Sequence, residues 1–262
     1  MNWILILIIT LIIILIFIIY NKSSTSNIPK KIHQIAFNLN VNKDIQNNID
    51  TLKRLNPGYE YRLYDDNDIV HFIKNNYDDS ILETYNKINP EYGPARADYF
   101  RYLLLYKEGG IYLDIKSSCE KPFDSIIKKD DEYILTHWGN REGLYNFRVT
   151  YRSDILNNKY GEYCNWNIII KKHHPLMKKI IDQVTFNINN YSLQEYGVGK
   201  LGVLLLTGPI VYSKVIIKNK DKYNLTLYDN YYDIGLIYSI IKNHTKLFKK
   251  HYEHLDSPIV FN

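Results

Sequence analysis

Apolar positions run from Trp3 to Tyr20 with only Thr10 interrupting, in the stretch NWILILIITLIIILIFIIYNK. As a helix rising about 1.5 Å per residue, this run spans roughly 27 Å, close to the hydrocarbon thickness of a bilayer. The pattern predicts a membrane anchor over residues 1–21. A cleaved signal peptide is the rival reading; the run is longer than an ordinary signal core, and no A-x-A-like site follows it. Residues 22–27 read as a polar linker, and residues 28–262 as one domain, since no repeat or second linker follows.

Beyond the linker, short β-like runs alternate with segments of helical period. IPKKIHQIAF reads as a strand. KDIQNNIDTLKRL reads as a helix with Ile45, Ile49, Leu52 and Leu55 on one face, stopped by Asn56-Pro57-Gly58. YEYRLYD is a second strand, and DIVHFIKNNY and DSILETYNKI are two short helices. The cluster Asp65-Asp66-Asn67-Asp68 reads as a helix N-cap. PARADYFRYLLLYKEGG is a helix with Pro94 near its first turn and two glycines at its stop. IYLDI, EYILTHW and NWNIIIKK read as buried strands, and HPLMKKIIDQVTFNI and IVYSKVIIKN as helices. Strands separated by helices predict an α/β domain with a mostly parallel sheet, whose ligands sit beyond the carboxyl ends of the strands.

Composition removes several function classes. Net charge is +5 and the lysines are dispersed along the chain, so no nucleic-acid-binding face is expected. Cys119 and Cys164 are too few and too far apart for a zinc site; they form either one disulfide or two thiols. Adjacent His173 and His174 point different ways and do not make a two-histidine metal site, while His33 reads as a core histidine. Lys22, Lys30 and Lys31 follow the apolar run, which by the positive-inside rule keeps the domain cytosolic. Glycosylation sequons at Asn21, Asn190, Asn224 and Asn243 lean the other way, so orientation stays open.

Chemistry concentrates at GGIYLDIKSS. Strand alternation would put Ile111, Leu113 and Ile115 on one face and Tyr112, Asp114 and Lys116 on the other. Charges at i and i+2 then stand side by side at the strand end. This spacing suits metal-dependent sugar transfer through paired aspartates, yet here the second position is a lysine. On the preceding helix, Asp98 and Arg101 are three apart and share a face, either to grip sugar hydroxyls or as a plain ion pair.

Five segments, in order, resemble the Och1-like DXD-containing glycosyltransferases (glycosyltransferase family 32), whose core is similar to the clostridial glucosylating toxins. IPKKIHQIAF resembles the family's I-P-K-x-I-H-Q-x-W strand, and NPGYEYRLYDD its N-P-x-Y-E-Y-x-L-W-D-D segment. ARADYFRYLLLYKEGGIYLDI resembles the core that ends in D-x-D. CNWNIIIKKHHPLM and LTGPIVYSKVI resemble its N…H-P and T-G-P segments. The resemblance implies a GT-A-like nucleotide-sugar-binding fold and a membrane-anchored hexosyltransferase with retention of the donor linkage. Mannose is the first candidate sugar, and the acceptor a glycan or glycolipid at a secretory-pathway (Golgi- or ER-like) or host membrane. The rival is a non-catalytic glycan- or nucleotide-binding protein on the same scaffold.

Carried over by position, the resemblance implies that Asp98 and Arg101 hold the donor sugar, and that Asp114 meets the ribose and metal. It implies that Asn165 lies near the sugar, and that His254 and Ser257 belong to a C-terminal segment closing over the diphosphate. Trp138 is a candidate for stacking on the acceptor, and loop 139–163 for acceptor choice. Two positions depart from the family: Ala36 replaces a base-stacking Trp, and Lys116 replaces the second aspartate. Three readings of Lys116 follow. The ammonium does the cation's work; or a divalent metal (Mn2+ or Mg2+) binds through Asp114, the diphosphate and His254; or the site binds without turnover.

Overall fold

The computed structural model describes residue 3 and residues 6–13, 26–37, 41–138, 161–241 and 254–261. Most of the expected anchor and linker and nearly all of the acceptor loop therefore lie outside the described residues. Residues 6–13 are helical and exposed.

Six strands form one sheet: β1 (Lys31–Ile35), β2 (Glu60–Tyr64), β3 (Gly110–Leu113), β5 (Tyr133–Thr136), β6 (Asn167–Ile170) and β7 (Thr226–Tyr228). Their order is β2-β1-β3-β6-β5-β7. β1 pairs in parallel with β2 and β3, and β5 with β7, while β6 is antiparallel to both β3 and β5. The sheet is thus mixed, with the parallel pairings in the majority. A two-stranded ribbon joins β4 (Ser118–Cys119) to β8 (Leu236–Ile237).

Two cores sandwich the sheet, and strand alternation divides it between them as the sequence predicts. Ile111 and Leu113 pack with Leu52 of α1 (Lys43–Leu55), whereas Tyr112 enters the other core. Each such aliphatic burial contributes about 1.5–3 kcal/mol. α1 has the predicted limits because Asn42 caps its start, accepting from the Ile45 N–H. α2 (Asp66–Asn76) begins two residues before the predicted segment, because Asp65 and Asp68 form a reciprocal capping box. α3 (Asp79–Lys87) follows as expected.

The second core is built around α4 (Gly93–Glu108), in which Ala95, Ala97 and every residue from Tyr99 to Leu105 are buried. It is enclosed by α5 (Pro175–Asn189), α6 (Leu193–Tyr196), α7 (Gly199–Leu206) and α8 (Pro209–Asn219). The apolar stretch 199–222 has the length to cross a membrane, but 67% of its most apolar window is buried in this core. α4 stops at Gly109, whose φ of +62° suits glycine. A Cβ at Gly109 would sit 2.7 Å from the Lys172 nitrogen, and one at Gly110 2.7 Å from the Lys31 carbonyl oxygen. The two glycines therefore let β3 slot between β1 and β6 directly after a helix.

One predicted boundary is corrected. β3 ends at Leu113 and does not continue through Ile115, because the Ser117 N–H closes a turn on the Asp114 carbonyl (2.8 Å). Gln34 Nε2 donates to the same carbonyl (2.9 Å), drawing it off the ladder. Lys116 thus leaves the strand, and the expected side-by-side placement with Asp114 does not form.

Candidate active site

β1, β2 and β3 all end at one edge of the sheet, and β6, being antiparallel, begins there. Asp114 follows β3, Asn165 precedes β6, and the first turns of α4 bring Asp98 and Arg101 to the same edge. The structure joins these four residues in one network. Arg101 Nη2 lies 3.2 Å from Asp98 Oδ1 and 3.3 Å from Asp114 Oδ1. Its Nη1 donates to the Asn165 carbonyl (2.6 Å), and its guanidinium stands 4.5 Å over the Tyr112 ring. Asn165 Nδ2 donates to Asp98 Oδ1 and to Tyr102 Oη, both at 3.0 Å. Thr207 Oγ1, at the end of α7, donates to Asp98 Oδ2 (3.1 Å).

Burial ranks the members. Asp98 and Arg101 are each 5% exposed, and both oxygens of Asp98 are bonded within the protein. Burial pushes the Asp98 carboxyl up to about 6, with Arg101 pulling it back and the Asp114 charge adding to the rise. Asp114 is the open member, its side chain 24% exposed. Tyr112 Oη donates to its Oδ1 (3.1 Å), and Arg101 approaches the same oxygen. Oδ2 makes no bond among the described residues, so it is the atom offered to a ligand. The Asp114 main chain is held as well, its N–H donating to the Trp166 carbonyl (2.9 Å).

Lys116 turns sideways. Its Nζ donates to Tyr238 Oη (2.9 Å) and lies 4.3 Å from the Tyr238 ring centre. The segment carrying Tyr238 is laced to this turn: Ile240 N–H donates to the Lys116 carbonyl (2.9 Å), and Ser117 Oγ donates to the Tyr238 carbonyl (2.7 Å). Tyr238 also belongs to an aromatic cluster with Trp138, Trp166 and Tyr231, at centroid distances of 4.7–6.1 Å. Trp138 therefore neighbours Lys116 through Tyr238. Ala36 exposes no ring, and the adjacent Phe37 packs under the Arg96 guanidinium at 5.3 Å.

The C-terminal pair belongs to a segment held beside the start of α4. Ser257 accepts from Asn89 Nδ2 (3.4 Å), and its carbonyl accepts from Tyr92 Oη (2.7 Å), which fastens residues 254–261 to the start of α4. His254 is exposed. Among the described residues, no three His, Cys, Asp or Glu side chains stand close enough to hold a metal ion. Both cysteines are buried thiols, and His33 is the expected core histidine, bonded to Tyr64 Oη and the Gly109 carbonyl (3.1 Å each). A groove of about 730 Å³ between α5 and α8 shares no lining residue with the charge network.

Four contributors were not singled out from the sequence. Thr207 sits in the quoted T-G-P segment and Gln34 in H-Q-x-W, so both were marked by motif but given no role. Strand alternation puts Tyr112 on the face of Asp114 without giving it a role, and Tyr238 carries no local signal among 25 tyrosines.

Comparison with known proteins agrees with this geometry. Residues 42–133, which include α4 and Asp114, match the family model for the glycosyltransferase sugar-binding region containing the DXD motif. An uncharacterised glycosyltransferase of Acanthamoeba polyphaga mimivirus (L373) is 28% identical over 167 residues, 63% of this chain and 59% of that one. Inositol phosphoceramide mannosyltransferase 3 of Schizosaccharomyces pombe is 30% identical over 199 residues, 74% of this chain and 48% of its own length. The chain thus spans about half to three-fifths of the length of these relatives. The UDP-bound glycosyltransferase domain of the YGT toxin has the same fold, with a TM-score of 0.55 at 9% identity, covering 83% of this chain and 82% of that one. Shared fold, matched core and the carboxylate left open where that core ends make this chain similar to the DXD-motif glycosyltransferases, the inositol phosphoceramide mannosyltransferases among them.

Proposed function

We propose that the chain transfers a hexose, mannose first, from a nucleoside diphosphate sugar to a glycan or glycolipid acceptor, with retention, from a domain tethered by the apolar segment within residues 1–21. The carrying observation is Asp114: a carboxylate with one oxygen fixed by Arg101 and Tyr112 and the other open at a strand end. Mannose is favoured by the names of the relatives, and a nucleotide donor by the UDP in a structure of the same fold.

Charge decides what else the donor needs. Two carboxylates surround one guanidinium, so the network is formally negative before a diphosphate arrives. Fixed positive charge against a departing diphosphate is a large catalytic contribution. Lys116 supplies one such charge, steadied by Tyr238. A divalent ion fits as well, since Mg2+ accepts one or two carboxylates with substrate phosphates and water, and Asp114 Oδ2 offers one ligand. When bound, the ion would neutralise charge on the leaving diphosphate. His254 is the proposed further ligand.

The test is nucleoside diphosphate release from a panel of donors, with and without Mn2+ and with EDTA. Release from a mannose donor that disappears in Asp114→Asn supports the reading. Donor binding without turnover, unchanged in Asp114→Asn, sinks it in favour of a non-catalytic binding protein. Full activity in EDTA, lost in Lys116→Ala, assigns the cation's work to Lys116 alone.

A further inference from the structure

The lysines dispersed along the sequence are gathered by the topology. At the sheet edge opposite Asp114, β1, β2, β3, β5 and β7 begin, and β6 and α4 end. Hydrogen bonds and ion pairs join the connections there into one surface. Asn27 N–H donates to the Lys129 carbonyl (3.4 Å), and Glu60 N–H to the Lys30 carbonyl (3.0 Å). Lys30 pairs with Asp124 (2.7 Å), Glu108 meets Lys31 and Lys172 (2.6 and 3.9 Å), and Lys171 pairs with Glu132 (2.6 Å). Asn224 Nδ2 donates to the Asp130 carbonyl (3.3 Å).

Segments 27–31, 53–60, 107–109, 124–132, 171–173 and 220–222 carry eleven basic and seven acidic side chains, a surplus of four in a chain of net charge +5. Lys53, Arg54, Lys128, Lys129, Lys220 and Lys222 have no carboxylate partner among the described residues, and all but the half-buried Lys220 are exposed. Asn27 and the start of β1, the described residues that follow the apolar run in sequence, lie at this same edge. Residues 21–30 can span at most about 35 Å, so the surface stays close to whatever holds that run.

We propose that this basic edge rests on an anionic bilayer surface and stands the sheet upright, with the Asp114 mouth facing away from the lipid. The charge complementarity is to acidic headgroups within a Debye length of the side chains. The orientation deepens the proposed function, resting on its membrane tether. A strand of five residues spans about 17 Å, so the acceptor hydroxyl must stand at least that far above the headgroups. That favours a sugar displayed on an extended glycan over one attached directly to the lipid.

The experiment uses the full chain in nanodiscs of phosphatidylcholine, with and without phosphatidylserine. Lysine reactivity toward an amine reagent is read by mass spectrometry, with Lys43, exposed at the start of α1, as reference. Anionic discs should slow labelling of Lys128 and Lys129 at least about threefold relative to Lys43, and high salt should restore it. Lys128→Glu/Lys129→Glu should make labelling of Lys220 and Lys222 independent of lipid. Equal rates in both discs, or protection by an RNA oligonucleotide in place of anionic lipid, overturn the proposal. If the chain fails to enter neutral discs, the tether is wrong; salt-sensitive flotation with anionic vesicles then still supports the edge, and its absence ends both.

Discussion

Asp98→Asn separates two accounts of the charge network by the sign of its effect on stability. As one member of a buried ion pair, Asp98 would cost about 3–5 kcal/mol to neutralise. The raised carboxyl argues otherwise. With the folded group titrating at about 6, ionisation at pH 7 is favoured over the protonated form by only roughly 1 kcal/mol. In the unfolded chain, at the ordinary value of 3.8, the same preference is about 4 kcal/mol. The folded state therefore holds the neutral form relatively better, by about 3 kcal/mol, and asparagine mimics that form. Losing the Thr207 hydrogen bond at Oδ2 takes back about 1 kcal/mol, leaving a net gain of about 1–2 kcal/mol. Arg101 keeps Asp114 as its counter-charge at 3.3 Å. Thermal melts of the full chain in detergent should show the variant about 2–8 °C more stable at pH 7. The gain should fade as pH falls through 6 toward 4, where the wild-type carboxyl protonates. Donor turnover should nonetheless fall at least about tenfold, since Asp98 orients Arg101 and Asn165. Destabilisation of 2 kcal/mol or more at pH 7 would falsify the claim that desolvation outweighs the pair.

Asp114→Asn should leave the melting temperature within about 2 °C of wild type while reducing nucleoside diphosphate release at least about 100-fold, because its open oxygen serves the ligand rather than the core. Gly110→Ala should cost at least about 3 kcal/mol in urea unfolding, because φ is +94° and the added Cβ would lie 2.7 Å from the Lys31 carbonyl oxygen; wild-type stability would disprove that close approach. His33, His137 and His174 are each lowered by burial to about 4, whereas the unfolded chain protonates near 6.5. Between those values the unfolded chain binds more protons, so their stabilisation is complete above pH 6.5 and is lost as pH falls toward 4. Three such groups oppose the single Asp98, and the urea midpoint should drop over that range; a flat profile would contradict the burial of these rings.

Legibility followed the physics of each signal. Helices with an apolar face and a capping residue, such as α1 and α2, were readable to within two residues. The Asp98–Arg101 pair was readable because helical spacing alone puts the two side chains on one face. α7, GKLGVLLL, shows no helical period because its leucines continue onto the exposed side, where Leu201 is 60% exposed, and Thr207 at its end carries no signal of its own. β7, β8 and the Tyr238 brace were unreadable for another reason: strands of two or three residues acquire their pairing from partners about 90–120 positions away.

Lys116 shows where local reasoning breaks down. The rule that i and i+2 share a face holds only while the chain stays extended, and two hydrogen bonds end that extension at Asp114. Both, from Gln34 and Ser117, occupy its carbonyl, while its N–H makes the last bond of the ladder, to Trp166. Gln34 is itself fixed, its Oε1 accepting from Tyr61 Oη (2.8 Å), so β2, β1 and β3 jointly set the direction of one carboxylate. Freed from the strand, the residue at 116 no longer needs to match Asp114 in chemistry; it must match the segment at 236–241. A lysine does so through the hydroxyl and ring of Tyr238. A carboxylate there would keep a donor in that hydroxyl but would face a ring whose quadrupole repels it. The lysine and Tyr238 therefore belong together, and the departure from D-x-D is one half of a pair whose other half lies 122 residues downstream.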